Sequence, residues 1–466
     1  MDFLLIYGTE MVSPTVYKQK FELNSPVYPP LGLLYVAKSL EDEGHKVRII
    51  DFYLDRNPYE EIKKQILSSD AIGMTVDNDC FEESAELAKS IKNIDSSIPI
   101  IAGGPYCTLY SKQSLEGLPT VDISVSGDGE HAIKDIVHSL NGNKKFSEIN
   151  GVHYRENNEI KSGQPPILIE NLDSIPFPSR HLVEKYDYGK IGKTSLFREK
   201  MTSMVTTRGC PFRCKYCIRP LISYKSFRQR SAENVIAELK EIDKKYNSVM
   251  IGDDTFLVDS KRAHKILDGI IDLELNLDIL IGGMRVDLAE RELYYKMKKA
   301  GVKHVTFGIE SGNQEVLDFY NKKVNIDQVK KAVNLCDEMG FFTNASFIFG
   351  APIETKKHIN YTINFACSLP LDTVIFYPLS YRHGSDLWNW AVEKGAISEN
   401  EHEVIADSSR NLGYFTEEEI KKFCSLGLKK FYIRPSYIIK EFVKALQTKD
   451  NALLKIILKS FFKPIF

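Results

Sequence analysis

The stretch Arg208-Gly209-Cys210-Pro211-Phe212-Arg213-Cys214-Lys215-Tyr216-Cys217 packs three cysteines into eight residues, just after an apolar strand pattern at 204–206. Three thiolates that close in one loop can hold three corners of a cubane iron–sulfur cluster, whose ligands are ordinarily cysteine. Zinc would need a fourth ligand at matching spacing, and neither a partner Cys-x-x-Cys pair nor a nearby histidine supplies one. A missing fourth ligand leaves one iron open to a substrate or cofactor. Buried structural thiols are the plainer alternative, and they fit the other five cysteines better. Cys80, Cys107, Cys336, Cys367 and Cys424 are scattered singly.

Outward from the triplet, short apolar runs alternate with helical patterns, the signature of βα units around parallel sheets. Downstream, strands are expected near 204–206, 248–251, 278–281, 304–308, 345–349 and 373–377. Upstream they are expected at 3–7, 47–50, 71–75, 98–102 and 123–125, with helices centred on 33–40, 83–91 and 132–140. Between the two sets, residues 146–198 read as a mixed linker. It holds a hairpin around 151–160 and then Pro165, Pro166, Pro176 and Pro178. The expected organisation is therefore α/β, with domains at 1–145 and 199–395 and a helical region over 396–466. That last region includes a capping box at Thr416 and Glu419.

The chain has 466 residues, with 61 Lys+Arg against 63 Asp+Glu and a net charge of −2. This balance argues against a general nucleic-acid binder. Hydrophobic content of 43% and charged content of 27% are those of an ordinary globular protein. No run reaches the ~18–20 apolar residues of a membrane span. The first residues read as a buried strand without a cationic leader, so a cytoplasmic, reducing setting is expected. In that setting clustered cysteines are ligands more readily than disulfides.

Cys-x3-Cys-x2-Cys with an aromatic, Tyr216, before the last cysteine resembles the signature of radical S-adenosylmethionine (SAM) enzymes. The resemblance implies that Cys210, Cys214 and Cys217 hold a [4Fe-4S] cluster. SAM chelates the fourth iron and is cleaved reductively to a 5′-deoxyadenosyl radical. Later segments match the family's SAM-binding motifs in order. Gly252-Asp253-Asp254-Thr255-Phe256 resembles the strand end that receives the SAM ammonium, through Asp253 and Asp254. Arg285 matches an arginine near the SAM carboxylate. Phe307-Gly308-Ile309-Glu310-Ser311-Gly312 resembles the segment beside ribose and methionine, so Glu310 and Ser311 are implied contacts. Phe347-Ile348-Phe349-Gly350-Ala351-Pro352-Ile353-Glu354 resembles the one beside adenine, implying Gly350 and Glu354. All four lie where an apolar strand ends, the face on which α/β sheets and barrels bind ligands. Glycines permit close backbone approach there, and carboxylates accept bonds from hydroxyls or an ammonium. Taken singly, each segment also reads as an ordinary turn or helix cap.

Residues 1–145 resemble the cobalamin-binding domain carried by one large branch of that superfamily. The matching stretches are Pro29-Pro30-Leu31-Gly32-Leu33-Leu34, Glu43-Gly44-His45-Lys46-Val47, Gly103-Gly104-Pro105 and Gly127-Asp128-Gly129-Glu130. The resemblance implies a Rossmann-like, doubly wound sheet. Its strands' carboxyl ends would place Gly8, Thr75, Val76, Gly103, Gly104, Gly127 and Gly129 around a corrin. Asp-x-His-x-x-Gly, the motif of histidine-ligated cobalt, is absent, and His45 reads as a surface loop residue. Asp128 stands where the branch commonly has glutamate, and Tyr106 where it often has histidine.

What the resemblance implies is a cobalamin-dependent radical SAM enzyme, with a partial (β/α)6 barrel and a helical C-terminal extension. Its leading reaction is methyl transfer to an unactivated carbon, with an electron donor such as ferredoxin or flavodoxin. Cyclisation, ring rearrangement or oxygen insertion with the same cofactors is the alternative, and a non-catalytic corrin or iron–sulfur binding protein is a third. A methylthiotransferase would carry a second cysteine triplet, which this chain lacks. Apolar residues broken by Lys455, Lys459 and Lys463 over 453–463 suggest a peripheral membrane helix and a small-molecule or lipid-like substrate. A helix packed on the barrel explains the same pattern. Trp388 and Trp390, after Arg382-His383-Gly384-Ser385, fit either a pocket wall or the core.

Overall fold

The computed structural model of the protein describes residues 1–8, 27–57, 59–191, 194–195 and 198–448. The segment 453–463, with its amphipathic pattern, lies outside the described residues. Two compact units divide the chain, Met1–Gly192 and Lys193–Phe466. Among the described residues no helix is long and apolar enough to cross a membrane.

In the first unit, strands β1 (Asp2–Tyr7), β2 (Lys46–Asp51), β3 (Ala71–Thr75), β4 (Ile100–Gly103) and β5 (Ile123–Val125) run parallel in the order β2-β1-β3-β4-β5. Side chains alternate across a strand, so a sheet covered on both faces needs continuous apolar runs. Phe3 and Leu5 of β1 pack with helix α1 (Leu31–Asp42), while Leu4 and Ile6 join the opposite core with α2 (Tyr59–Leu67) and α3 (Phe81–Ile94). The strand order reverses between β1 and β3, which makes that point the ligand crevice of a doubly wound sheet.

Residues 146–191, expected as a linker, belong to this unit. Strands β6 (Val152–Glu156) and β7 (Glu159–Ser162) extend the sheet antiparallel from β5. Further on, the Tyr188 hydroxyl donates to Asp51 Oδ2 at 2.8 Å and that of Tyr186 to Asp55 Oδ2 at 2.5 Å. Burial pushes the Asp51 carboxyl up to about 6, and the phenolic donor offsets part of the cost of sealing it there.

The second unit is built on β8 (Met201–Met204), β9 (Ser248–Ile251), β10 (Asp278–Met284), β11 (Val302–Glu310), β12 (Phe342–Phe349) and β13 (Thr373–Pro378). All six are parallel and neighbours in sequence order, as in a partial (β/α)6 barrel. Helices lie between consecutive strands and share one apolar core with their outward-facing residues. The helix Ile326–Met339 shows how firmly local sequence fixes them. Asn325 and Gln328 close a capping box, and Gly340 ends the helix in the left-handed region at φ 78°.

The C-terminal region is not separate from this barrel. Helix Glu417–Tyr432, opened by the expected Thr416–Glu419 box, lies against the last strand. A Cβ at Gly427 would come within 2.9 Å of the Phe376 ring, so only glycine permits this approach. The Tyr432 hydroxyl meets both the N–H and the C=O of Val374 at 3.0 Å. Trp388 is buried, donates to the Glu401 carbonyl at 3.2 Å and packs on His383, so it serves the core, and Trp390 packs against the same core.

Candidate functional site

The cysteine loop leaves β8 through a two-residue antiparallel ladder, Thr207–Arg208 against Arg228–Gln229, which closes its base. Gly209 has φ 88°, and a Cβ there would strike the Ser226 carbonyl at 2.2 Å. Within the loop Cys210, Cys214 and Cys217 are half-buried free thiols. Lys215 N–H donates to the Tyr320 carbonyl and Asn321 Nδ2 to the Arg213 carbonyl, at 3.0 and 2.7 Å. Burial pushes the Cys214 and Cys217 thiols up, Cys217 to about 11, with the charges of Cys214 and Cys210 adding to the rise at Cys217. Lys322 and Arg285 pull Cys214 back down, which favours the thiolate a metal needs. Among the described residues no three His, Cys, Asp or Glu groups meet at single-ion spacing. A cubane takes one thiolate on each of three separate irons, so the unbridged triplet fits the cluster.

The SAM-motif residues ring this loop at the strand ends. Tyr216 donates its hydroxyl to Glu310 Oε1 at 2.8 Å, and Lys322 Nζ donates to the same oxygen at 2.7 Å. Burial acts to lower the Lys322 ammonium, but Glu310 and Cys214 outweigh it and hold it above the usual lysine range. Glu310 ends β11 after a register shift and sits at φ 69°, a conformation costly for a residue with a Cβ. Arg285 forms a bidentate pair with Asp287 at 2.9 and 3.1 Å, donates to the Lys322 carbonyl at 2.8 Å and lies 3.6 Å over the Phe212 ring. It thereby clamps the cysteine loop to the end of β10.

Other expected SAM contacts take on different tasks. The buried Asp253 carboxylate accepts from Thr206 N–H and Oγ1 at 2.5 Å each and from Thr207 N–H at 3.2 Å. Both oxygens are spent tying β8 to β9, so the ammonium contact expected of Asp253 is not the use its geometry supports. Asp254 is more open and lies 3.4 Å from Arg219. The Ser311 hydroxyl is buried against Thr362 at 3.1 Å and caps Asn313 N–H. Glu354 Oε2 accepts from Gly350 N–H at 2.7 Å and Ala351 N–H at 3.3 Å, while Oε1 has no partner among the described residues. Burial raises the Glu354 carboxyl to about 7. Gly350 itself has φ 110°, and a Cβ would press on Ile420 at 2.8 Å.

In β9, β11, β12 and β13, residues that face the helices are buried while the alternating set, Met250, Thr306, Ser346, Ile348, Ile375 and Tyr377, is only partly covered. The interior of the barrel is therefore open to a ligand. Tyr377 is 49% exposed, yet close enough to Glu310 for that charge to add to burial in raising its phenol.

In the first unit the glycine turns lie at the carboxyl ends of β1, β4 and β5. Gly8 and Gly127 have φ 101° and 86°, and Gly127 N–H donates to Thr108 Oγ1 at 3.0 Å. Gly104 has φ 105°, where a Cβ would sit 3.0 Å from the Val76 carbonyl and 3.4 Å from Thr75 Oγ1. At Gly103 nothing comes nearer than 4.0 Å, and Gly129 opens helix Gly129–Leu140 with Val36 3.3 Å from where a Cβ would be. That cradle suits a flat corrin approaching backbone. Val76 departs from its expected role, because its side chain is buried in the core and its backbone bonds Gly103 and Tyr106. Tyr106 is core too, stacked on Phe81 at 4.8 Å. His45 lies at the opposite end of the sheet, where β2 begins, 3.4 Å from the Met1 amine.

Family models for the radical SAM superfamily and the B12 binding domain match residues 204–366 and 25–137. An uncharacterized methyltransferase of Pyrococcus horikoshii is 32% identical over 426 residues, covering 89% of this chain and 90% of its own. The chain is a B12-binding radical SAM enzyme. An anaerobic magnesium-protoporphyrin IX monomethyl ester cyclase of Cereibacter sphaeroides is 25% identical over 78% of this chain, which spans 58% of that longer relative. The fold is shared with the radical SAM methyltransferase TsrM from Kitasatospora setae, solved with cobalamin and a [4Fe-4S] cluster. The TM-score is 0.67 at 18% identity, over 85% of this chain and 75% of that one.

The cofactors of this B12-binding radical SAM enzyme are a [4Fe-4S] cluster, SAM and cobalamin. Two residues of its barrel escaped the sequence. Lys322 stands in Asn321-Lys322-Lys323, indistinguishable from a surface turn, and only the fold buries it against Glu310. Tyr377 ends an apolar strand run, and alternation alone puts it on the inner face.

Proposed function

We propose that the protein methylates an unactivated carbon of a small molecule. The observation that carries this is a single cysteine triplet beside the Tyr216–Glu310–Lys322 cluster, in a chain that also holds the glycine cradle for a corrin. When bound, the cluster supplies an electron to SAM and cobalamin carries the methyl group. The chain's own residues bind and orient. Cys210, Cys214 and Cys217 hold the iron, and Tyr216, Asp254, Glu310, Gly350 and Arg285 shape the SAM site. The Gly8, Gly103, Gly104, Gly127 and Gly129 turns receive the corrin. A ferredoxin or flavodoxin supplies the electrons.

Reconstituted protein given CD3-labelled SAM and a low-potential reductant should release 5′-deoxyadenosine and S-adenosylhomocysteine together. The second product reports remethylation of the corrin. The cyclase relative favours a second reading, in which ring formation yields 5′-deoxyadenosine alone. Neither product, with the cofactors loaded, would leave a non-catalytic binding protein.

We further propose a lipid-like substrate met at a membrane surface. Support comes from helix Pro435–Thr448, which exposes Ile439 and Val443 and leads towards the lysine-broken apolar segment 453–463. Co-sedimentation with anionic liposomes, full-length against a chain ending at Asn451, tests it. Equal sedimentation of the two would reject it.

A further inference from the structure

The Glu310 carboxylate is held in a way that packing does not require. Oε1 takes two donors, Tyr216 OH at 2.8 Å and Lys322 Nζ at 2.7 Å, while Oε2 accepts from no described residue. Three unfavourable features serve this one orientation. Lys322 is buried, with a side chain 8% exposed, and desolvating an ammonium costs about as much as its ion pair returns. Glu310 adopts φ 69°. Gly308 must lack a side chain, because a Cβ would stand 2.5 Å from Glu310 Oε1 and 3.2 Å from Lys322 Nζ.

From this geometry we infer that Lys322 is a positioning residue for SAM: it fixes Glu310 through Oε1 so that Oε2 is presented to the ligand. The inference rests on the SAM site described above and assigns Lys322 no direct contact with the ligand. Its backbone supports the same arrangement, since the Lys322 carbonyl accepts from Arg285, the clamp on Phe212. Lys322 thus couples the carboxylate of one strand end to the cysteine loop of another.

A double-mutant cycle on the anaerobically reconstituted full chain tests it, with S-adenosylhomocysteine as the calorimetric probe. Lys322→Met should weaken binding about tenfold, the loss of one charged hydrogen bond's organisation, with cluster absorbance intact. Glu310→Gln should weaken it similarly, and the double variant should be no weaker than Glu310→Gln alone, because Lys322 reaches SAM through Glu310 and through Tyr216, itself a Glu310 donor, while its charge on Cys214 is read separately in the cluster absorbance. In turnover, Lys322→Met should raise the KM for SAM with little change in kcat. Should the methionine variant fail to fold, Lys322→Gln, which keeps a donor without the charge, is read in the same cycle. Additive losses, or parental binding in the Lys322 variants, would overturn the inference. Absence of probe binding to the parent chain with its cluster loaded would instead overturn the SAM site itself, and this inference with it.

Discussion

Replacing Glu354 by Gln should make the second unit more stable at neutral pH and remove a pH dependence that the parent carries. The carboxyl is buried and raised to about 7 from its ordinary 4.5. Its Oε2 accepts two backbone N–H groups, so the proton resides on Oε1, which has no partner among the described residues. Between the two pKa values the folded chain holds a proton that the unfolded chain has released. The stability this contributes is full below 4.5 and is lost as pH rises through about 7. That gap, at roughly 1.4 kcal/mol per pH unit, amounts to at most about 3.5 kcal/mol. Glutamine keeps an acceptor for the Gly350 N–H and cannot ionise. Relative to the parent, Glu354→Gln should therefore gain up to about 3 kcal/mol between pH 5 and 8. The two tryptophans, Trp388 and Trp390, both lie in the second unit, so urea unfolding of cluster-free protein followed by their fluorescence reads the right part of the chain. A parent–variant difference that does not change with pH, or that changes with the opposite sign, would refute the argument.

Changing Cys210, Cys214 or Cys217 to Ala should abolish cluster loading and SAM cleavage, while Cys336→Ala and Cys367→Ala should leave iron content unchanged. Asp253→Ala leaves the Thr206 and Thr207 N–H groups and the Thr206 hydroxyl without their acceptor. It should cost roughly 2–4 kcal/mol in urea unfolding and lower iron content, since the base of the cysteine loop loosens. Gly308→Ala should weaken S-adenosylhomocysteine binding about tenfold with Tm little changed, because the added carbon displaces a carboxylate, not a core side chain. Gly104→Ala should reduce the cobalamin retained through gel filtration, from both its φ of 105° and its 3.0 Å contact with Val76. His45→Ala should leave that amount unchanged.

Where apolar runs were short and bounded, the sequence was legible to the residue: 71–75, 123–125 and 248–251 are strands as expected. The strand expected at 204–206 instead spans Met201–Met204. Thr206 and Thr207 favour a strand, but the Asp253 carboxylate captures their N–H groups and ends the ladder. No local pattern announces a carboxylate arriving from 47 residues away. The 146–198 stretch misled for a similar reason. Its prolines and polar residues look like a linker, and only Asp51 and Asp55 reveal why Tyr186 and Tyr188 dock. The cysteine triplet and glycine turns were legible because each carries its chemistry within a few residues. Lys322 was not, since its meaning arises from a neighbour on another strand.

The helix laid on β13 sets the smallest piece of this chain that can stand alone. The radical SAM family match ends at residue 366, before β13 begins at Thr373. A fragment cut there would leave the edge of β12 open, and one cut after β13 but before Glu417 would leave Val374 unpaired and the Phe376 face bare. Such an edge recruits other chains, so the fragment should precipitate instead of binding a cluster. The expressible unit of this enzyme's barrel therefore runs at least through Tyr432, whose hydroxyl closes the last strand.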